Sequence, residues 1–78
     1  MADIQRWKAF VRELRGRQDA LREEAQPYEA GIMRICRGMA GGPLRDITGE
    51  RIATIKDEIA SLERAIRFVI AEQALDDA

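Results

Sequence analysis

Apolar side chains in the first half of the chain recur at alternating intervals of three and four residues. They are Ile4, Trp7, Val11, Leu14, Leu21, Ala25, Tyr28, Ile32, Ile35 and Met39, with Gln18 as the polar member of the series. A second series runs Ile52, Ile55, Ile59, Leu62, Ile66 and Val69 and closes at Gln73. This spacing puts each series on one stripe of an α-helix, the a and d positions of a heptad, where a facing helix can cover it. The pattern predicts an all-α fold with long amphipathic helices over about residues 3–39 and 48–75.

Pro27 complicates the first helix. It has no amide donor, and its ring collides with the carbonyl of Glu23. The heptad register nevertheless passes through it unbroken. The expectation is either one helix kinked near Pro27 or two consecutive helices meeting near Gln26, with Pro27 opening the second. Asp3 and Thr48 are the expected N-caps, and Glu50 lies near the positive end of the second helix. The glycines from Gly38 to Gly42, with Pro43 behind them, supply a turn over about residues 40–47. A link that short favours antiparallel neighbours, so residues 1–78 read as a single helical hairpin. The second helix, ~42 Å long at 1.5 Å per residue, covers only part of a first segment reaching back to Asp3. The end carrying Trp7 and Phe10 is expected to overhang.

Length and composition add a reason for a partner. A chain of 78 residues buries only about 60% of its unfolded surface. One cysteine excludes an internal disulfide, and the absence of histidine argues against zinc. Association is the remaining supplement, and the expected assembly is a homodimer forming an antiparallel four-helix bundle. Residues 1–45 carry nine basic and six acidic groups, and residues 46–78 carry four and eight, so the two halves are expected to attract. The longest apolar run, Phe68 to Ala71, is far short of the ~20 residues a membrane span needs. With no signal-peptide core at the N-terminus, the expected location is the cytoplasm.

Chemistry finds little purchase in these residues. The stretch CRGMAGGPL, from Cys36 to Leu44, has glycines but lacks the lysine and hydroxyl of a Walker-type loop. It reads as a turn, with an anion nest near Arg37 and Arg45 as the lesser alternative. Cys36 has no histidine to act as its base and is expected to pack as a small semi-buried apolar residue beside Ile35. The neighbouring carboxylates Glu23-Glu24, Asp57-Glu58 and Asp76-Asp77, the last pair outside the described residues, are expected to diverge by ~100° on a helix and so not to converge on a substrate atom. Pairs such as Glu13 with Arg17 at i,i+4 are expected instead. No enzyme activity, metal or cofactor is expected.

A contact surface is a better reading. The segment from Arg6 to Arg22 holds Arg6, Lys8, Arg12, Arg15, Arg17 and Arg22 against Glu13 and Asp19, with Trp7 and Phe10 interleaved. Aromatics flanked by arginine are the composition of binding hot spots. Phe68 lies off the second seam and needs cover of its own. The expected partner-binding residues are Arg6, Trp7, Phe10, Arg12, Arg17 and Phe68, and the expected partner is a protein. In general character the chain is similar to the small accessory proteins of phages and other mobile elements, and an inhibitor or adaptor of a larger host complex is the expected role. The alternatives are nucleic-acid binding through the arginine face, which predicts strong salt dependence, and a structural part of a virion.

Overall fold

The structure is a computed structural model that describes residues 3–75. Helix α1 spans Ile4–Glu29 and helix α2 spans Thr48–Gln73, 26 residues each. The helices pack side by side as the antiparallel hairpin that the two apolar series predict. Between them lies a small antiparallel ladder of β1, Cys36–Arg37, and β2, Arg45–Asp46, with Cys36 opposite Asp46 and Arg37 opposite Arg45.

Asp3 caps α1 as expected, its Oδ1 accepting from the Arg6 amide at 3.1 Å. The other end of α1 differs from the sequence expectation. The helix neither continues to residue 39 nor divides in two. It ends at Glu29, with Pro27 inside its last turn. The stop is made by Gly31, whose φ of 76° is a left-handed conformation that glycine adopts without Cβ strain. The Gly31 amide donates to the Tyr28 carbonyl at 3.2 Å and the Ile32 amide to the Pro27 carbonyl at 2.9 Å. Those two bonds define a Schellman motif, which satisfies carbonyls that α1 would otherwise leave free. Ile32, Ile35 and Met39 therefore keep the heptad spacing without lying on a helix.

The link is correspondingly longer than a turn over 40–47, running from Ala30 to Ile47. Its tip is a four-residue turn, with the Gly42 amide donating to the Met39 carbonyl at 2.9 Å and Gly41 at φ 79°. Gly38 is required for a different reason. A Cβ there would lie 2.8 Å from Leu44 Cδ2 and 2.9 Å from the Pro43 carbonyl.

Thr48 ties the link to the hairpin. It is buried, and its hydroxyl accepts from the Ile35 amide at 2.9 Å while donating to Asp46 Oδ1 at 2.6 Å. The same Asp46 oxygen accepts from the Thr48 amide at 2.9 Å. The carboxylate that closes the start of α2 is thus Asp46, and the expected cap, Thr48, is the first residue of the helix. At its far end α2 stops in a second Schellman arrangement, with Ala74 at φ 51° and the Leu75 amide donating to the Ile70 carbonyl at 2.9 Å.

Within the helices the heptad reading holds closely. Every seam residue of α2 is buried or half-buried, and every seam residue of α1 except Ile4 is too. The fully covered core is thin: Leu14, Gln18 and Ala25 on α1, and Ile55, Ile66 and Val69 on α2, with Leu75 closing one end. Two helices in contact can each bury only one stripe, so Val11, Leu21, Ile59 and Leu62 stay half-exposed.

Cross-helix bonds fix the register. Gln18 Nε2 donates to the Ile59 carbonyl and to Glu63 Oε1, each at 3.1 Å, Arg15 approaches Glu63 at 3.7 Å, and Arg51 pairs with Glu24. In this register the first turns of α1 lie beside the last turns of α2, so the end carrying Trp7 and Phe10 does not overhang. The two helices have equal length, and the overhang is at the opposite end. The molecule is 61 Å long, whereas a 26-residue helix accounts for ~39 Å.

The expected attraction between halves is reproduced only in part. Arg15 with Glu63 follows it, but Glu24 with Arg51 and Glu29 with Lys56, at 3.9 Å, run the other way. Each pair answers to its local register and not to the summed charge of each half.

Candidate functional site

Exposed large apolar side chains mark the surfaces available for contact, and they gather at the two ends of the rod. At the helix end are Ile4, Phe10 and Phe68. At the link end are Ile32, Met33, Met39 and Leu44, with Met39 85%, Ile32 80% and Leu44 74% exposed.

The helix end is built on α1 and α2 by the heptad itself. Trp7 occupies a d position and is half-buried, and its ring meets the Phe10 ring edge to face, with centroids 6.1 Å apart at 80°. Such a pair stabilises by roughly 0.5–1.5 kcal/mol beyond its area. Phe10, at g, is exposed. Phe68, at c on the neighbouring helix, is 65% exposed. The register brings Phe68 level with Phe10, on the flank where Glu24 meets Arg51.

Of the six residues expected to bind a partner, Arg6, Phe10, Arg17 and Phe68 share that flank, and Trp7 sits at its edge. Arg12, at b, lies on the opposite flank. The basic segment is also less available than its composition suggests. Arg6 pairs with Asp3, Arg22 with Asp19 at 3.1 Å, and Arg15 with Glu63. Among the described residues Lys8, Arg12 and Arg17 have no carboxylate within ion-pair distance, and they are divided between the two flanks. The Glu13–Arg17 pair expected at i,i+4 does not form.

The link end is not among the expected surfaces, because Ile32 and Met39 fit the heptad spacing and read as positions on a helix seam. Gly31 is the signal that could have corrected this, since a glycine shortly after a proline is a helix stop. Cys36 also differs from expectation: its side chain is exposed on β1 and not semi-buried. Arg45, one of the two arginines beside the glycines, is engaged by Glu50.

Two carboxylates are held below their ordinary range. Glu63 is lowered chiefly by the hydrogen bond from Gln18, with Arg67 at 2.8 Å and Arg15 adding to it. Asp46 is lowered chiefly by the Thr48 hydroxyl and amide, with Arg34 at 2.8 Å contributing less. Both groups serve the fold, one locking the helix register and the other the start of α2. Their low affinity for protons suits neither to general acid work near neutrality. Among the described residues no group of three or more His, Cys, Asp or Glu side chains is placed to hold a metal ion. The surface depressions are open grooves, such as the one lined by Arg17, Ala20, Leu21, Glu58, Ser61 and Leu62. No described helix is long and apolar enough to cross a membrane.

Comparison with known proteins finds no matching family model, no matching curated protein and no matching solved structure.

Proposed function

We propose that this chain is a non-enzymatic protein–protein interaction module, an adaptor or inhibitor that binds a larger protein complex in the manner of phage and mobile-element accessory proteins. One observation carries the reading: in a rod with a thin core, large apolar side chains stay exposed in two separate clusters, at the helix end and on the protruding link. Contiguous exposed apolar surface has a cost in water and is typical of contact sites. The link end suits an adaptable contact, because Met33 and Met39 are flexible and polarisable side chains that fit uneven surfaces. Trp7, Phe10 and Arg6 give the helix end the composition of a hot spot.

The test is capture of a partner by the tagged chain, compared with a Met39→Ser/Leu44→Ser variant and a Phe10→Ala variant. All three substituted positions are exposed, so helical circular dichroism should be unchanged in both. The reading expects a specific partner whose capture is lost in at least one variant. Capture that is equal in all three proteins, or binding that is instead to nucleic acid and falls steeply with salt, would remove it.

A further inference from the structure

The hairpin has two long flanks of different character. Letters a to g follow the heptads, with a and d on the buried seam. In an antiparallel pair g positions lie beside g positions and e beside e. The ion pairs agree: Glu24 and Arg51 are both g, whereas Arg15, Glu63, Glu29 and Lys56 are all e. On the g flank the groove between the helices has the half-buried Leu21 and Leu62 as its floor, and the small Ala20 and Ser61 form its shoulders. Above the floor stand Arg6, Phe10 and Arg17 from α1 and Glu58, Phe68 and Glu72 from α2, all exposed.

We propose that this flank is the interface between two copies of the chain, related by a twofold axis that runs along the hairpin. The inference deepens the reading of the chain as an interaction module by naming the partner of one surface, and leaves the link end to another protein. Such an axis lays α1 of one copy over α2 of the other, antiparallel and at the same height. The observed register then decides what meets what. Phe10 is level with Phe68, Arg6 with Glu72, and Arg17 with Ser61 and Glu58. In the dimer Phe10 stacks on the partner's Phe68, Arg6 faces the partner's Glu72, and Arg17 faces the partner's Glu58, each contact occurring twice. The same operation on the e flank brings Arg12 against Arg67 and Arg22 against Lys56, like charges both times, with Arg15 against Glu63 as an opposing attraction. The g flank, whose facing charges are opposite at both Arg6 and Arg17, complements itself better.

The areas agree with this. A face ~39 Å long and 21 Å wide offers about 800 Å² per copy, the size of a standard stable interface. The chain exposes 6056 Å², against about 4,800 Å² for a compact monomer of its mass. Face-to-face pairing covers an excess of that order.

The test uses the purified full chain in sedimentation equilibrium, with circular dichroism as the folding control. Twice the chain mass is expected at micromolar concentration. Arg17→Glu or Glu58→Arg alone should weaken the dimer roughly tenfold or more, because two symmetry-related attractions become repulsions. The double reversal Arg17→Glu/Glu58→Arg should restore it. A second measurement reads the geometry directly. With Cys36→Ser in both chains, oxidising Phe10→Cys mixed with Phe68→Cys should give a cross-linked pair, while Phe10→Cys alone stays unlinked. A monomer at tens of micromolar, a dimer indifferent to both charge reversals, or self-linking by Phe10→Cys would each overturn the proposal. None of these results depends on whether the link end captures another protein.

Discussion

At the scale of single residues, Gln18 connects the sequence pattern to the energetics most directly. It is the one polar member of the first apolar series, and it is 2% exposed, held by the Ile59 carbonyl and Glu63. A polar side chain at a buried a position fixes register at some cost in stability. Gln18→Leu should therefore raise the melting temperature while loosening alignment, because the Ile59 carbonyl keeps its place within a helix and Glu63 stays in reach of Arg67 and solvent. A fall in melting temperature on that substitution would show that the two hydrogen bonds outweigh apolar packing. Glu63 and Asp46 both contribute to the response to acid. Both take up protons less readily when folded than their ordinary values of 4.5 and 3.8 imply. The unfolded chain thus binds more protons in that range, and stability present above about pH 4.5 is lost as pH falls through the lower folded values. Thermal melts from pH 7 to pH 3 should show this loss, and Glu63→Gln, which keeps an oxygen for Gln18, should flatten it.

At the scale of elements, the two helix ends form a natural comparison. Both stop in a left-handed residue followed by a bond to the carbonyl five residues back, but α1 uses Gly31 and α2 uses Ala74. A side chain in that conformation costs ~1 kcal/mol. Gly31→Ala should destabilise and Ala74→Gly should stabilise, each by somewhat less than that amount and by a few °C in a domain of this size, because alanine also restricts the unfolded chain and offsets part of the strain in both exchanges. Thermal melts check this: a Gly31→Ala chain that melts no lower than the parent would show that the unfolded-state term cancels the strain. The same elements show what the sequence makes legible. The seams of both helices, the Asp3 cap and the antiparallel pairing follow from the three-four spacing, because burial of one stripe is a local and periodic requirement. The link was not legible from that pattern. Ile32, Ile35 and Met39 keep heptad spacing by coincidence, because the helix ends before them at the left-handed Gly31. The Thr48 anchor depends on Ile35 and Asp46 converging from separate positions, which no local pattern records. Of the proposed contact residues, Phe10 and Phe68 are legible as apolar positions off or beside a seam, whereas their shared height depends on the register set by Gln18.

At the scale of the whole molecule, shape carries the last prediction. The chain is a rod of 61 × 21 × 15 Å with a Cα radius of gyration of 17.5 Å, far above the ~11.5 Å of a compact domain of this length. Two rods can join in two ways that solution scattering separates. End-to-end association through Ile32, Met33, Met39 and Leu44 would double the mass and bring the maximum dimension to about twice 61 Å. Face-to-face association along the g flank doubles the mass while the length stays near 61 Å, because the twofold axis runs along the rod. Small-angle scattering on the dimeric fraction should therefore give a maximum dimension close to that of one chain and a thickened cross-section. Melting temperature should also rise with protein concentration, since a dimer that forms only from folded chains draws the folding equilibrium toward itself. A scattering length that doubles with mass would move the self-contact to the link end. The g flank, with its paired phenylalanines and opposed charges, would then be left open for a different protein.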